Sequence, residues 1–145
     1  MNQKWMSLLE KAIGIAVEAH RGQKDKAGAP YILHPLRMMG RMETAQEKIV
    51  AVLHDVVEDT TWTLDRLQRE GFPDEILRAL DGVTKRAAES YEEFVERSRS
   101  NPIAWRVKVA DLEDNMDLRR LETLTNKDFA RLRKYHRAWK QLNRP

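Results

Sequence analysis

The sequence predicts an all-α fold, and three observations lead to that reading. Apolar residues recur at three- and four-residue intervals along most of the chain, whereas no alternating run reaches strand length. Helix start signals recur as well. Thr44-Ala45-Gln46-Glu47 and Ser90-Tyr91-Glu92-Glu93 both read as capping boxes, in which a hydroxyl accepts from an orphan backbone N–H and a glutamate reaches back to the cap. Finally, 41% hydrophobic residues in a chain of 145 suffice for one core, so a single compact bundle over residues 1–145 is expected.

The first helix is expected from about Trp5 to His20, with Leu8, Leu9, Ala12, Ile15, Ala16 and Ala19 on one stripe. Gly22 and Gly28 then open a polar loop that Pro30 closes. A second helix should follow His34, since Pro35 suits a first helical turn and Leu36, Met38, Met39 and Met42 supply apolar contacts. The Thr44 box opens a third helix, expected to run to about Glu58. Thr63 caps a short helix ending at Gly71, and Pro73-Asp74 starts another carrying Ile76, Leu77 and Leu80. The Ser90 box opens a helix through Val95. Asn101-Pro102 joins a good N-cap residue to proline at the first helical position, predicting a long helix through Trp105, Val109 and Leu112. The last helix begins around Asp128.

Composition excludes several functions. The longest apolar run, Ile49 to Leu53, is far below the roughly 20 residues of a membrane helix. No basic segment followed by an apolar region marks a secretory peptide, and with no cysteine there are no disulfides or thiolate metal sites, so a cytoplasmic location is expected. Net charge is only +3, which gives little argument for nucleic acid as a partner. From Arg119 to Pro145, nine Lys or Arg face Glu122 and Asp128, a local +7 that leaves −4 for the rest. That basic end could meet an anionic ligand, although a solvated helix surface explains most of such charge.

The chemistry concentrates at His54-Asp55, embedded in Ile49-Val50-Ala51-Val52-Leu53 and Val56-Val57. Burying that segment carries a histidine and a carboxylate inward, where each needs a partner or surrenders its charge. A divalent metal is such a partner, since imidazole and carboxylate are good donors for it. Glu58 lies four residues beyond His54 and Asp59 four beyond Asp55, so on a continuous helix both return to the same side one turn later. Asp111 and Asn115 repeat the spacing on another predicted helix, and His34 adds an imidazole at a helix entrance. A His-Asp dipeptide alone also fits an ordinary surface, and Asp111, Glu113 and Asp114 beside Lys108, Arg119 and Arg120 also fit a solvated acidic turn.

Taken as an ordered set, the motifs resemble the small HD-domain phosphohydrolases, closest to the RelA/SpoT-type hydrolase domain and its stand-alone relatives. The matching blocks are Ala19-His20-Arg21-Gly22-Gln23, Lys26 to Leu36, Leu53-His54-Asp55-Val56-Val57-Glu58-Asp59-Thr60, Gly82-Val83-Thr84-Lys85, and Lys108 to Asn115. The resemblance implies one divalent ion, usually manganese in this group, held by His34, His54, Asp55 and Asp111. It also implies an acidic pair, Glu58 and Asp59, acting on the attacking water, and nucleotide contacts from Lys26 and Asn115. Tyr31 is the aromatic expected beside the site, and Arg131, Lys134 and Tyr135 could approach the nucleotide from the last helix. Trp62, Trp105 and Trp139 could stack on a base, but helical spacing also fits core packing. His20 reads as a packed or capping histidine and His136 as a surface one.

The chain departs from the family pattern at Asp25 and Asp117, where the resemblance calls for arginine. Both changes reverse charge where an anionic ligand would be gripped. Arg21, Lys24, Arg119 and Arg120 lie near enough in sequence to compensate. The leading expectation is a metal-dependent hydrolase of a phosphorylated nucleotide, with guanosine 3′,5′-bis(diphosphate), ppGpp, first among substrates. The alternatives are a less charged nucleotide or phosphorylated cofactor as substrate, or an HD module that binds without catalysis. Neither nucleic acid nor a membrane is expected as a partner.

Overall fold

A computed structural model of the chain describes residues 2–145. Among them run nine α-helices, with one 3-10 turn and a single isolated bridge between Lys24 and Pro30. Helix α1 spans Gln3–Ala19, α2 Leu33–Gly40, α3 Ala45–Leu53, α4 Val56–Asp59, α5 Leu64–Arg69, α6 Asp74–Gly82, α7 Tyr91–Ser98, α8 Pro102–Asn115 and α9 Asn126–Leu142.

Helix α3 is the axis of the molecule. Ile49, Val50, Ala51, Val52 and Leu53 are all fully buried, so this helix is apolar on every side and must be surrounded. It is enclosed by α1, α2, α6 and α8. The close approach of α6 to α8 depends on Gly82, where an added Cβ would lie 2.8 Å from the Ala104 Cβ. A smaller cluster built on Val95, Leu112, Ala138 and Leu142 seats α9 against α7 and α8.

Several caps form as the sequence predicts. Thr44 with Glu47 and Ser90 with Glu93 make reciprocal capping boxes, Thr63 caps α5, and Asn101 accepts from the Ile103 and Ala104 N–H groups at the start of α8. Helix α2 starts at Leu33, two residues before the expected Pro35, so His34 sits inside its first turn. Helix α9 begins at Asn126, because Thr125 and Asp128 form a third capping box.

The expected third helix does not continue to Glu58. It ends at Leu53 and restarts as α4, with Asp55 at φ −103° and ψ 0° between them. The Ala51 carbonyl, which a continuing helix would give to the Asp55 N–H, accepts from the His54 N–H at 3.4 Å and lies 2.7 Å from His54 Nδ1. The HD pair therefore occupies a tight corner at the inner end of the buried helix, and Glu58 and Asp59 are carried by a separate short helix rather than by the same one.

Candidate active site

Three elements bring the donors together: the first turn of α2 supplies His34, the end of α3 supplies His54, and α8 supplies Asp111. One ligand atom from each lies within 4.8 Å of the others, and all three residues are buried. Asp111 Oδ1 is 3.0 Å from His34 Nε2 and 3.6 Å from His54 Nε2. Asp55 lies beside this group, with Oδ2 2.9 Å from His54 Nε2 and accepting the Tyr31 hydroxyl.

The tautomers follow from the other ring nitrogens. His54 Nδ1 faces the Ala51 carbonyl, which only accepts, so Nδ1 carries the proton. His34 Nδ1 is 2.6 Å from Asp114 Oδ2 and donates to it by the same reasoning. With each imidazole neutral, both Nε2 atoms present lone pairs toward Asp111. His54 Nε2 is buried without a hydrogen-bond partner, although oxygens of Asp55 and Asp111 lie 2.9 and 3.6 Å away. Lone pairs of two imidazoles and a carboxylate converging on one point need a cation between them. The donor set therefore fits a divalent ion held by nitrogen and oxygen.

In the ion's absence a proton is that cation, and a metal would displace it from the imidazoles. Burial disfavours the charged form of both histidines, but hydrogen bonds donated by the His34 ring to Asp111 and Asp114 hold its pKa above the usual value, and the charges of Asp55 and Asp111 hold that of His54 well above. Against burial, Lys108 and the two histidines keep Asp111 well below the usual carboxylate range. Lys108 is itself buried, with Nζ 3.0 Å from Asp111 Oδ2. Burial, then the Asp55 charge, raises the carboxyl pKa of both Glu58 and Asp59. Tyr31 is pushed far up by burial and by Asp55, so its hydroxyl stays protonated.

A cavity of about 320 Å³ opens on the His34 side of the donors. Lys26, Tyr31 and Asn115 line it, as do Arg131 and Tyr135 from α9. Asn115 also donates through Nδ2 to Asp111 Oδ1 at 3.0 Å. Burial and then Arg131 lower the Lys26 pKa. Glu58 and Asp59 are not among the lining residues; they stand on α4, on the Asp55 side of the donors. No tryptophan lines the cavity: Trp62 stacks under Arg66 at 3.7 Å, Trp105 donates to the Leu142 carbonyl, and Trp139 donates to Glu113. His20 is buried at the end of α1 with its ring 5.0 Å from that of Tyr31.

The two unexpected aspartates have structural work. Asp25 Oδ1 accepts from the Ala27 and Ala29 N–H groups, both at 2.9 Å, and ties the loop that reverses at Gly28, φ +85°. Asp117 caps the 3-10 turn Leu118–Arg120, pairs with both ends of the Arg119 guanidinium at 2.8 Å, and lies 3.5 Å from Arg120. Of the four cations that could compensate, Lys24 and Arg120 line the cavity, whereas Arg21 pairs with Glu18 and Arg119 with Asp117. Asp114, which the sequence left readable as part of a solvated acidic turn and gave no role at the site, is 1% exposed and bonded to His34, Arg37 and Arg120. Its signal was the three-residue step from Asp111, which puts both carboxylates on one helix face.

No family model matches the chain. It is 36% identical over 121 residues to the GTP pyrophosphokinase of Streptomyces coelicolor, covering 74% of this chain and 14% of that protein. It is 32% identical over 120 residues to the guanosine-3′,5′-bis(diphosphate) 3′-pyrophosphohydrolase of Aquifex aeolicus, covering 74% and 17%. The chain thus spans less than a fifth of these relatives. A solved structure described as a metazoan ortholog of SpoT that hydrolyzes ppGpp superposes with a TM-score of 0.70 at 22% identity, over 98% of this chain and 86% of that one, and it shares the all-helical fold. With the ordered motif blocks, the similarity to these relatives and this helical arrangement, the chain belongs to the RelA/SpoT-type HD hydrolase domains.

Proposed function

We propose that this chain is a metal-dependent phosphohydrolase acting on a phosphorylated nucleotide, with ppGpp as the first substrate. The observation that carries the reading is the convergence of His34, His54 and Asp111 beside a cavity lined by Lys24, Lys26, Arg120 and Arg131. Asp55 completes the proposed ligand set, since its Oδ2 is already 2.9 Å from His54 Nε2. Mn²⁺ is the ion we assign. When bound, such an ion lowers the pKa of a water and polarises a phosphoryl oxygen.

The chain's own residues then divide the work. Glu58 and Asp59, raised in pKa by burial and by Asp55, are poised as bases for the proton of the attacking water. Lys26 places its ammonium against phosphate charge, and Asn115 holds Asp111 in place while facing the cavity. Tyr31 keeps its hydroxyl on Asp55 and offers its ring to the ligand. Water oxygen bonds to phosphorus, the P–O bond to the nucleoside oxygen breaks, and that oxygen is protonated. For ppGpp the products are GDP and pyrophosphate. We place this activity in the cytoplasm and in a single HD domain over residues 1–145; no described helix is long and apolar enough to cross a membrane.

A second reading, preference for a nucleotide carrying fewer charges, is supported by Asp25 and Asp117. Both bring negative charge to the cavity wall and both are held there by local bonds. Turnover of a nucleotide panel by Mn²⁺-loaded protein, with products separated chromatographically, tests both. Pyrophosphate release from ppGpp is expected. Absence of turnover for every phosphorylated nucleotide, with metal bound, would leave a binding module instead.

A further inference from the structure

We infer that Asp114 is a positioning residue, aiming His34 at the metal and fixing two arginines at the cavity wall. The inference rests on the reading of His34 as a ligand given above. Helix α8 presents Asp111 and Asp114 one turn apart, and the His34 ring lies between them, with Nε2 3.0 Å from Asp111 and Nδ1 2.6 Å from Asp114. Two carboxylates on one helix thus set both the plane and the tautomer of the ring. With Nδ1–H given to Asp114, the Nε2 lone pair is left for the ion.

Asp114 is itself held from two directions. Arg37, one turn beyond His34 on α2, donates from Nε to Oδ1 and from Nη2 to Oδ2, both at 2.9 Å. Arg120 donates to the Asp114 carbonyl at 2.8 Å and approaches Oδ2 at 3.4 Å. A bidentate arginine fixes a carboxylate in orientation as well as in place. The pairs His34/Arg37 and Asp111/Asp114 therefore interlock α2 with α8 at the donor cluster. Because Arg37 and Arg120 both line the cavity, the same carboxylate that orients the ligand also sets where these two cations stand. Full burial of an aspartate is costly even with two arginines and an imidazole N–H around it, and its placement directly behind a donor gives that cost a function.

The test is Mn²⁺ affinity, measured by titration calorimetry on metal-free protein without nucleotide. Asp114→Asn keeps the shape and removes the charge; its affinity should fall about 10- to 100-fold, the usual effect of losing an outer partner of a ligating histidine. Arg37→Gln breaks the clamp without touching His34 and should weaken binding in the same direction by at least about threefold. In the Co²⁺-loaded proteins the visible bands, which report ligand geometry, should shift in both variants, a change that simple loss of stability would not produce. Folded variants with wild-type Mn²⁺ affinity and an unshifted Co²⁺ spectrum would overturn the inference. Should Asp114→Asn fail to fold, Arg37→Gln decides alone. Wild-type protein that binds no divalent ion would overturn the metal reading itself, a distinguishable result.

Discussion

Replacing Lys108 by methionine removes one charge from the centre of the site while keeping most of the side-chain volume. Lys108 is 9% exposed, its Nζ lies 3.0 Å from Asp111 Oδ2, and it stands 4.8 Å above the Phe94 ring. At an effective dielectric near 20, a pair at that separation attracts by about 5.5 kcal/mol gross. Relief of the lysine's own desolvation returns part of this, and removing one member of a buried pair costs about 3 to 5 kcal/mol. A net loss near 3 kcal/mol lowers Tm by about 6 to 12 °C in a chain of this size. The loss should be largest in EDTA, where Asp111 keeps only its histidine neighbours and the Asn115 amide, and should shrink with Mn²⁺. Asp111 is held below the usual carboxylate range, so its contribution to stability is present above its unfolded pKa and lost as pH falls through the folded one. In Lys108→Met that acid-side loss should be smaller. Differential scanning calorimetry with and without Mn²⁺ measures all of this. A variant as stable as wild type in EDTA, or a gap that Mn²⁺ leaves unchanged, would refute the electrostatic argument.

Glu58→Gln should lower turnover by about 10² to 10⁴ while leaving Mn²⁺ affinity intact, the range for loss of a general base; a near-normal rate in single-turnover assays would move that role to Asp59. Asp117→Arg changes the local charge by two units, each worth about 0.7 kcal/mol in water and about 2.8 at a dielectric near 20 for a phosphate some 6 Å away. It should raise kcat/KM for ppGpp more than for a nucleoside monophosphate, and an equal effect on both would remove the charge argument. Asp25→Arg added to it should also cost about 1 to 3 kcal/mol of stability, since Asp25 caps two backbone N–H groups of its loop. Glu89, drawn down to about 2 by hydrogen bonds from Arg97 against a burial penalty, stabilises the fold above its unfolded pKa and ceases to as pH falls through about 2. Glu89→Gln should cost about 1 to 2 kcal/mol at pH 7 and flatten the acid unfolding profile, and an unchanged profile by circular dichroism would count against the pair.

Local signals carried most of the architecture because they act within a few residues. The Thr44 and Ser90 boxes and the Asn101-Pro102 start are visible in sequence since the bonds they make are three positions away. The Thr125–Asp128 box has the same spacing with aspartate in place of glutamate, and it was readable by the same rule. The break at His54 was not, because the periodicity of Ile49 to Val57 is unbroken and the stop comes from a side chain facing the Ala51 carbonyl. Long-range pairing hid the rest. Lys108, Asp111 and Asp114 read equally well as a solvated acidic turn, and only the arrival of His34 and Arg37 from α2 makes them interior. Asp25 and Asp117 differ again: their charge was legible, but their hydrogen-bonding roles depend on how the loops close.

Metal content and turnover, measured on one preparation each of wild-type protein and Asp55→Ala, decide whether the clustered donors hold an ion that hydrolysis requires. Asp55 lies 2.9 Å from His54 Nε2 and accepts from Tyr31, so its loss removes a proposed ligand and frees the tyrosine at once. One Mn²⁺ per chain and nucleotide hydrolysis are expected in the wild type, with both lost together in the variant. Asp55→Ala with full metal content and full turnover would contradict that expectation.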